Sequence, residues 1–508
     1  MKKTTKIISI SLAIIISILL IVISITCYIV FTPERLTPIM REQAEKHLTC
    51  ETSLESVNLT FFSSFPNFAL EISNLTLSER ARPQEIVSIP RLVMKIDLMK
   101  YLFGNNVTIN TIQLSDASAN IVIDSLGVAN YEKIYPTSDE EKDEDTSTDA
   151  NTLFDMWQIS SIDIINLQAK YIDKAGKIYA HIEELSAHID GHYDGLDGDA
   201  NISISTGQTL YQTSDTTDIY IALNNLGIKS NFKIRNNHIK GNCHTTLPSL
   251  TFAMQDDTLA NRLNINIDAP IQWDNEAKLA QFDAAQFTIN KLGFNINGKA
   301  QVCEDSSFAV DLSVNTKEWQ LTDIIALVPA TYSDLLNDFR KLDGTTTLNC
   351  EIAGTYNDSI MPIIDSRLKF DNLTILHSSL PDYELEQTTA DINLSLDLNN
   401  EENTKATINS LFAKTGTNTI EGSGIASDLM DKILLDLKLQ AKLHLSELQD
   451  LVPEDITLKM DGYSNIDLDI KTSLADIEKK YLNRTMYTSY LPHNYSIVLV
   501  FPLYLMKQ

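Results

Sequence analysis

Leu-Leu-Asp-Leu-Lys-Leu-Gln-Ala-Lys-Leu-His-Leu, residues 434–445, is the stretch whose reading decides the fold. Leu435, Leu437, Leu439, Ala441, Leu443 and Leu445 alternate with Asp436, Lys438, Gln440, Lys442 and His444. A period of two is that of a β-strand with one apolar and one wet face. Three further runs repeat the pattern: Leu263, Ile265 and Ile267 between Asn264, Asn266 and Asp268; Ile392, Leu394, Leu396 and Leu398; and Ile466, Leu468 and Ile470. Something apolar must cover those faces. Helical segments are scarce, so the cover is either a second sheet, as in a sandwich or barrel, or a ligand that is itself apolar. That choice decides the function.

Working outward, short strands separated by turn residues are expected around Phe68 to Leu77, Ile86 to Ile96, Val107 to Leu114 and Ala119 to Ile123, and again from Ile159 through Val314. With no long helix between them they predict antiparallel meanders, not a parallel βαβ sheet. Trp319-Gln-Leu-Thr-Asp-Ile-Ile-Ala-Leu-Val-Pro329 aligns with Leu443-His-Leu-Ser-Glu-Leu-Gln-Asp-Leu-Val-Pro453. In each copy Thr322 or Ser446 is placed to cap a helical turn, and each copy reaches an Asp-Gly, at Asp343-Gly344 and Asp461-Gly462, before another strand block. Such a unit suits elongation by stacking.

At the other end of the chain, Ile7 to Phe31 is almost wholly apolar, and as a helix it would be about 37 Å long, enough to span a bilayer with some tilt. Lys2, Lys3 and Lys6 precede it, which places the first residues in the cytoplasm and the rest outside. The length favours a retained single-pass anchor over a cleaved signal peptide, and Tyr28 to Phe31 carry the apolar run past Cys27, against a lipoprotein processing box. Pro33 to Leu48 then reads as a short amphipathic helix with Leu36, Met40, Ala44 and Leu48 on one side, facing either the membrane surface or the first sheet.

Composition narrows the partners. The 508 residues are 43% apolar, enough for folded cores, and the net charge of −28 disfavours nucleic acid and anionic membrane surfaces. Cys27, Cys50, Cys243, Cys303 and Cys350 lack the spacings of a zinc site or redox pair, and a disulfide framework is not expected. Residues 136–151 form an acidic loop without the glycine and ligand spacing of a calcium site. His181, His188 and His192 lie near Asp190, Asp194, Asp197 and Asp199; Gly191, Gly195 and Gly198 make that region a turn, and turn chemistry is favoured over metal binding. No phosphate loop, nucleophile elbow or Cys-His pair is present, and acidic pairs are expected by chance among 68 carboxylates. No enzymatic activity and no cofactor are expected.

Ser63-Ser-Phe-Pro-Asn-Phe-Ala-Leu-Glu-Ile-Ser-Asn-Leu-Thr-Leu77, Ile89 to Gly104, Ile109-Asn-Thr-Ile-Gln-Leu114 and the Asp124-Ser-Leu-Gly127 turn with Asn130 follow one another as a Pro-bearing hairpin, a Leu-rich stretch ending in Gly, a strand and a turn. In this order, after an N-terminal anchor, the chain resembles the AsmA family of inner-membrane-anchored proteins. It departs from the family pattern at Ser115 and Asp116, where a Pro near the strand end is expected, and in residues 481–508, which lose the alternation and read as a truncated or frame-altered end. The resemblance implies a periplasmic relative of chorein-type bridge proteins, mainly β, in which an elongated, curled antiparallel sheet forms a groove that carries phospholipid toward the outer membrane. The expected organisation is a tip and anchor in 1–31, an N-terminal block in 32–135, the acidic loop, a groove segment in 152–318, repeats in 319–442 and 443–480, and the atypical tail.

The lipid-facing candidates are Ile121, Ile123, Ile202, Ile204, Leu263, Ile265, Ile267, Phe294, Ile296, Ile392, Leu394 and Leu396. Acyl chains laid on them would leave water at about 25 cal/mol per Å² with no directed polar contact. The alternative is a noncatalytic envelope scaffold whose strands close into sandwiches and whose edges meet outer-membrane or envelope proteins.

Overall fold

The computed structural model describes residues 32–60, 68–80, 84–96, 109–134, 160–193, 197–236, 238–255, 257–380, 382–451, 457, 459–475 and the backbone of 486–490. The expected membrane span, the acidic loop and most of the tail lie outside the described residues. Among the described residues no helix is long and apolar enough to cross a membrane. The chain is mainly β, its strands belonging to a large mixed sheet, and it divides into two compact units, Met1–Asn236 with Gly241–Ile265 and Asn237–Lys240 with Asn266–Gln508.

The first unit opens with helix α1 (Pro33–His47), started by a proline whose missing N–H costs nothing in the first turn. Its strands are β1 (Glu51–Ser53), β2 (Ser56–Thr60), β3 (Phe68–Ser78), β4 (Glu85–Ile96), β5 (Ile109–Ser115), β6 (Ser118–Ile123), β7 (Ser161–Asp173), β8 (Ile178–Tyr193), β9 (Asp197–Ser205), β10 (Gln208–Thr213), β11 (Ile219–Asn224), β12 (Gly227–Arg235) and β13 (His238–Met254). The helix finds its apolar cover on the sheet: Leu36 and Met40 pack on Leu54, Val57 and Ile72, and the Val57 N–H donates to Thr37 Oγ1 at 3.0 Å. Arg41 Nη2 donates to the Leu54 carbonyl at 2.9 Å. Of the two covers open to this helix, the first sheet is the one it uses.

The pairing is not wholly antiparallel. β5 and β6 both run parallel to β7, with Leu114 opposite Ile164 and Ile121 opposite Tyr171. A parallel neighbour requires a long crossover, and the connection from β6 to β7 runs from residue 124 to 160, of which 124–134 and 160 are described. The predicted all-antiparallel meander is corrected here by these two parallel pairings. A second correction concerns His181, His188 and His192, which lie within strand β8 and not in a turn. Gly191 is in that strand and Gly198 in β9, so the glycines punctuate strands and only residues 194–196 separate them.

Backbone irregularities fall in one line across this unit. Asn74, Asp116, Asn166, Glu184 and Asn225 have positive φ. Hydrogen bonds join some of them: the Asp116 N–H donates to the Ile165 carbonyl and Asn166 Nδ2 to Asp116 Oδ1 at 2.7 Å, while the Gly207 N–H donates to the Glu183 carbonyl and the Asn225 N–H to the Gly207 carbonyl. At this level the β7–β8 pairing shifts register between Ile164 and Ala169, and such a bulge bends the strand and increases its twist. Asp116, with φ 56° and its N–H engaged, stands where proline cannot, which accounts for the departure from the family pattern at that position.

The second unit contains β14 (Asp257–Asp274, whose first half belongs to the other unit), β15 (Leu279–Ile289), β16 (Leu292–Val302), β17 (Phe308–Thr316), β18 (Trp319–Gln320), helix α2 (Leu321–Ile325), β19 (Phe339–Tyr356), β20 (Ile363–His377), β21 (Leu385–Leu396), β22 (Lys405–Thr415), β23 (Asn418–Ser427), β24 (Leu434–His444), β25 (Tyr463–Ser473) and β26 (Met486–Tyr490). From β19 to β26 each strand pairs antiparallel with the next. The decisive stretch supplies β24 through His444, Leu445 opening the 3₁₀ turn that follows, and Leu437 stands opposite Ile470 and Leu439 opposite Leu468.

Both copies of the sequence repeat are realised as clamps. Trp319 leads into α2 and Leu445–Leu451 forms a 3₁₀ turn, and the aligned carboxylates Asp323 and Glu447 each reach back to an earlier hairpin. Asp323 takes Lys291 Nζ at 2.8 Å beside the β15–β16 turn. Glu447 accepts from the Thr417 N–H at 2.9 Å, from Thr417 Oγ1 at 2.8 Å and from Asn418 Nδ2 at 2.9 Å, and pairs with His444 Nδ1 at 2.9 Å. These donors, the Thr417 N–H first, hold the Glu447 carboxyl at about 2, below its usual value. Its stabilising contribution is therefore complete above pH about 4.5 and is lost as pH falls through about 2. Glu447→Gln is expected to lower the melting temperature at pH 6, with the gap to the parent closing toward pH 2; a pH-independent gap in paired melts would refute the assignment.

Candidate functional site

In the first unit one line of directly opposed residues crosses eight strands: Val57, Ile72, Leu92, Leu114, Ile164, Ala187, Ile204 and Ile228. All lie on one face. Its beginning is covered by α1, which seals Val57 and Ile72 from water, and further along the small side chain of Ala187 is buried as well. Beyond the helix, Ile164, Ile204 and Ile228 are half-buried. Ile202 follows the same strand face, between Ile189 of β8 and Ser230 of β12. Past the bulge row, Ile121 stands beside Tyr171 and Ile123 beside Asp173. Burial raises the Tyr171 hydroxyl above its ordinary value, the neighbouring Asp173 adding to the effect.

The second unit builds the same kind of face. Leu348, Leu368, Ile392, Ile408, Gly424, Leu437 and Ile470 oppose one another in turn across seven strands. Next to this row Ser366, Leu394, Ala406, Ala426, Leu435 and Thr472 form another. All of these side chains except the glycine's are half-buried, neither sealed nor open. Gly422 and Gly424 leave room that Leu439 and Leu437 use, since a Cβ at either glycine would come within 2.6–2.7 Å of those leucine Cδ2 atoms. Along β24 the apolar positions from Leu435 to Leu443 extend about 27 Å at ~3.4 Å per residue. That exceeds the ~15 Å depth of one membrane leaflet's hydrocarbon.

Each candidate can now be placed. Ile392, Leu394 and Leu396 share the apolar face of β21, and Leu394 lies between Ser366 and Ala406. Leu263, Ile265 and Ile267 are half-buried in β14, as is Asn266 between the last two. Ile296 stands opposite Val314 on the face that continues through Cys350 and Ser366. Phe294 differs from the others. It packs edge-to-face on Trp319 at 4.8 Å between ring centres and touches Phe287 at 5.7 Å, while Trp319 Nε1 donates to the Gly293 carbonyl at 3.1 Å. Protein covers the apolar face there, through a tryptophan that in the sequence stands only as the first residue of a repeat.

The opposite face is polar and carries the charge pairs. Arg367 grips Asp391 with Nε and Nη2 at 2.8 and 2.5 Å, Lys471 meets Asp436 at 2.9 Å, and Arg91 meets Glu71 at 2.7 Å. Arg367, with help from Asn409, holds the Asp391 carboxyl down at about 2. His188 bridges Asp163 at 2.5 Å and Asp190 at 3.0 Å, and the hydrogen bond to Asp163 raises its imidazole above the ordinary value. Exposed pairs of this kind are screened by water and salt, so they keep that face wet more than they hold the fold. A hollow of about 500 Å³ also lies on this polar side, lined by Asn349, Glu351, Arg367, Asn393 and Lys405. Leu394 and Cys350 also contribute to its lining. Among the described residues no group of three or more His, Cys, Asp or Glu side chains is arranged to hold a metal ion, and Cys50, Cys243, Cys303 and Cys350 are free thiols.

The model of the AsmA family matches residues 1–451 of the chain. No curated protein and no solved structure matches it.

Proposed function

The chain belongs to the AsmA family, and on that premise we propose that it is an inner-membrane-anchored periplasmic protein, its N-terminus cytoplasmic, that binds or conducts phospholipids on its apolar sheet faces for outer-membrane assembly or lipid homeostasis. One observation carries the reading. Rows of Ile and Leu cross strand after strand at intermediate exposure, whereas the short stretch under α1 is sealed. In a closed sandwich the inward side chains of every strand would be sealed in that way. An uncovered apolar row of this length needs an occupant, and transferring an acyl chain onto it contributes on the order of 10 kcal/mol at ~0.8 kcal/mol per methylene before ordering costs. No catalytic group takes part in that reading. The membrane supplies the lipid, and envelope proteins are its further partners.

A photocrosslinking amino acid at Leu394 or at Ile202 is expected to capture phospholipid in cells, and the same group at the strand neighbours Asn393 or Asn201 is not. Mass spectrometry of the purified adduct reads the result. Equal lipid labelling at apolar and polar positions would leave the scaffold reading as the better account.

A further inference from the structure

Large apolar residues are exposed along one end of the strands in the second unit. Ile360 (44%) and Met361 (43%) lie in the turn between β19 and β20, Leu398 (43%) in the turn between β21 and β22, and Met430 (51%) in the turn between β23 and β24. These turns are not loose. The Ile360 N–H donates to Asn357 Oδ1 at 2.8 Å, the Met361 N–H donates to Asn399 Oδ1 at 2.9 Å, and Asn399 Nδ2 returns a bond to the Met361 carbonyl at 2.7 Å. The first turn is thereby tied to the second. Thr404, fully buried, accepts from the Leu429 N–H at 3.0 Å and so ties the second to the third. The Asx geometry of Asp397, whose carboxyl is held low by Asn403 and the backbone N–H groups of Asn399 and Asn400, fixes the middle turn. Three adjacent turns therefore present Ile, Met, Leu and Met on a stitched platform, where polar turn tips would have cost nothing.

The surroundings are acidic. Asp358, Glu401, Glu402 and Asp431 are exposed around the apolar tips, with Lys405 and Lys432 the nearby cations. A second copy of this chain would bring the same acids to the contact, and a net charge of −28 already opposes self-association and anionic bilayers. A preformed apolar centre within an acidic rim is complementary to a protein segment that carries apolar side chains flanked by Lys and Arg. We infer that this end of the second unit is a docking surface for such a basic amphipathic segment of a partner protein. Because the platform is already ordered by its own hydrogen bonds, little conformational freedom is lost on binding. The surface lies at the strand ends, apart from the half-buried rows proposed to hold lipid, and its occupancy does not depend on them.

The test uses the full-length chain in lipid nanodiscs and two fluorescent amphipathic peptides that share a leucine face, one flanked by lysines and one by glutamates. The lysine peptide is expected to bind, and the glutamate peptide is not. Met361→Ser, Leu398→Ser and Met430→Ser combined should weaken binding on the order of tenfold, and Glu401→Gln with Glu402→Gln should weaken it and flatten its salt dependence. Tyr463→Ser, which removes an exposed ring at the other end of the strands, should change nothing. Unchanged affinity in the triple variant, or equal binding of the two peptides, would overturn the proposal. Zwitterionic vesicles that associate with the parent but not with the triple variant would overturn it in favour of a membrane contact.

Discussion

Trp319→Ala is expected to loosen β16 through β19, at a cost of about 3–5 kcal/mol, the usual range for emptying a buried aromatic site. The indole is nearly sealed, packs edge-to-face on Phe294 and donates to the Gly293 carbonyl. It also joins β18 to β19 through its register with Thr346, directly before α2. Trp319→Phe keeps an aromatic ring but loses the Nε1–H donor, and should cost about 1 kcal/mol for the hydrogen bond together with a part of the lost volume. Hydrogen exchange of the β16–β19 amides separates the two, because a local loosening raises exchange there and leaves β22–β25 unchanged. A second consequence links stability to the lipid face. With the indole gone Phe294 joins the uncovered row that begins at Ile296, so a photocrosslinker at position 294 should label lipid in Trp319→Ala and not in the parent. Parent-like exchange in Trp319→Ala would show that Trp319 is not what closes this end of the row.

The parts of this fold that were legible in the sequence are those where the period of two is uninterrupted. In β24 and β25 every residue from Leu434 to His444 pairs in register with Tyr463–Ser473, no bulge intervenes, and the alternation of leucines is the alternation of faces. In the first unit the period is broken on purpose. β7 runs apolar at Ile162 and Ile164, then at Leu167, Ala169 and Tyr171, because an extra residue at Ile165–Asn166 moves the apolar side from even to odd numbers. β8 makes the matching change at Glu183–Glu184, and only the pairing shows that the two shifts meet. For the same reason the histidines of β8 resemble a turn in sequence: glycines and acids near them suggest punctuation, whereas the strand brings His188 to Asp163 and Asp190 and His181 to Glu183. The parallel partners of β7 are hidden in the sequence because a crossover normally announces itself as a helical pattern, and the stretch between β6 and β7 reads as an acidic run instead. The clamps at Asp323 and Glu447 had one trace in the sequence, the repeat itself. Their partners Lys291 and Thr417 lie some 30 residues upstream and carry no motif of their own.

Leu394→Asp combined with Leu437→Asp puts two carboxylates on the apolar face of the second unit, at positions that are half-buried rather than sealed. The two readings of that face diverge here more than anywhere else. If the rows hold acyl chains, each charge must be transferred into hydrocarbon or displace it, a cost of about 2–3 kcal/mol by insertion scales, and lipid occupancy should fall on the order of a hundredfold or more. The protein itself would remain folded, since in the empty state both carboxylates reach water and their strands keep the ladder bonds to β20, β22, β23 and β25. If a protein layer covers the rows, the same substitutions bury unpaired charges in a core, and the chain loses several kcal/mol of stability whether or not lipid is present. Lys438→Asp, on the polar face of the same strand, serves as the charge control. Parent-like melting with copurified phospholipid lost in the double variant, and retained in Lys438→Asp, is the expected pattern. Collapse of the melting transition with any residual lipid unchanged would move the protein to the scaffold reading, because the apolar rows would then be the inside of a sandwich and not a bed for fatty tails.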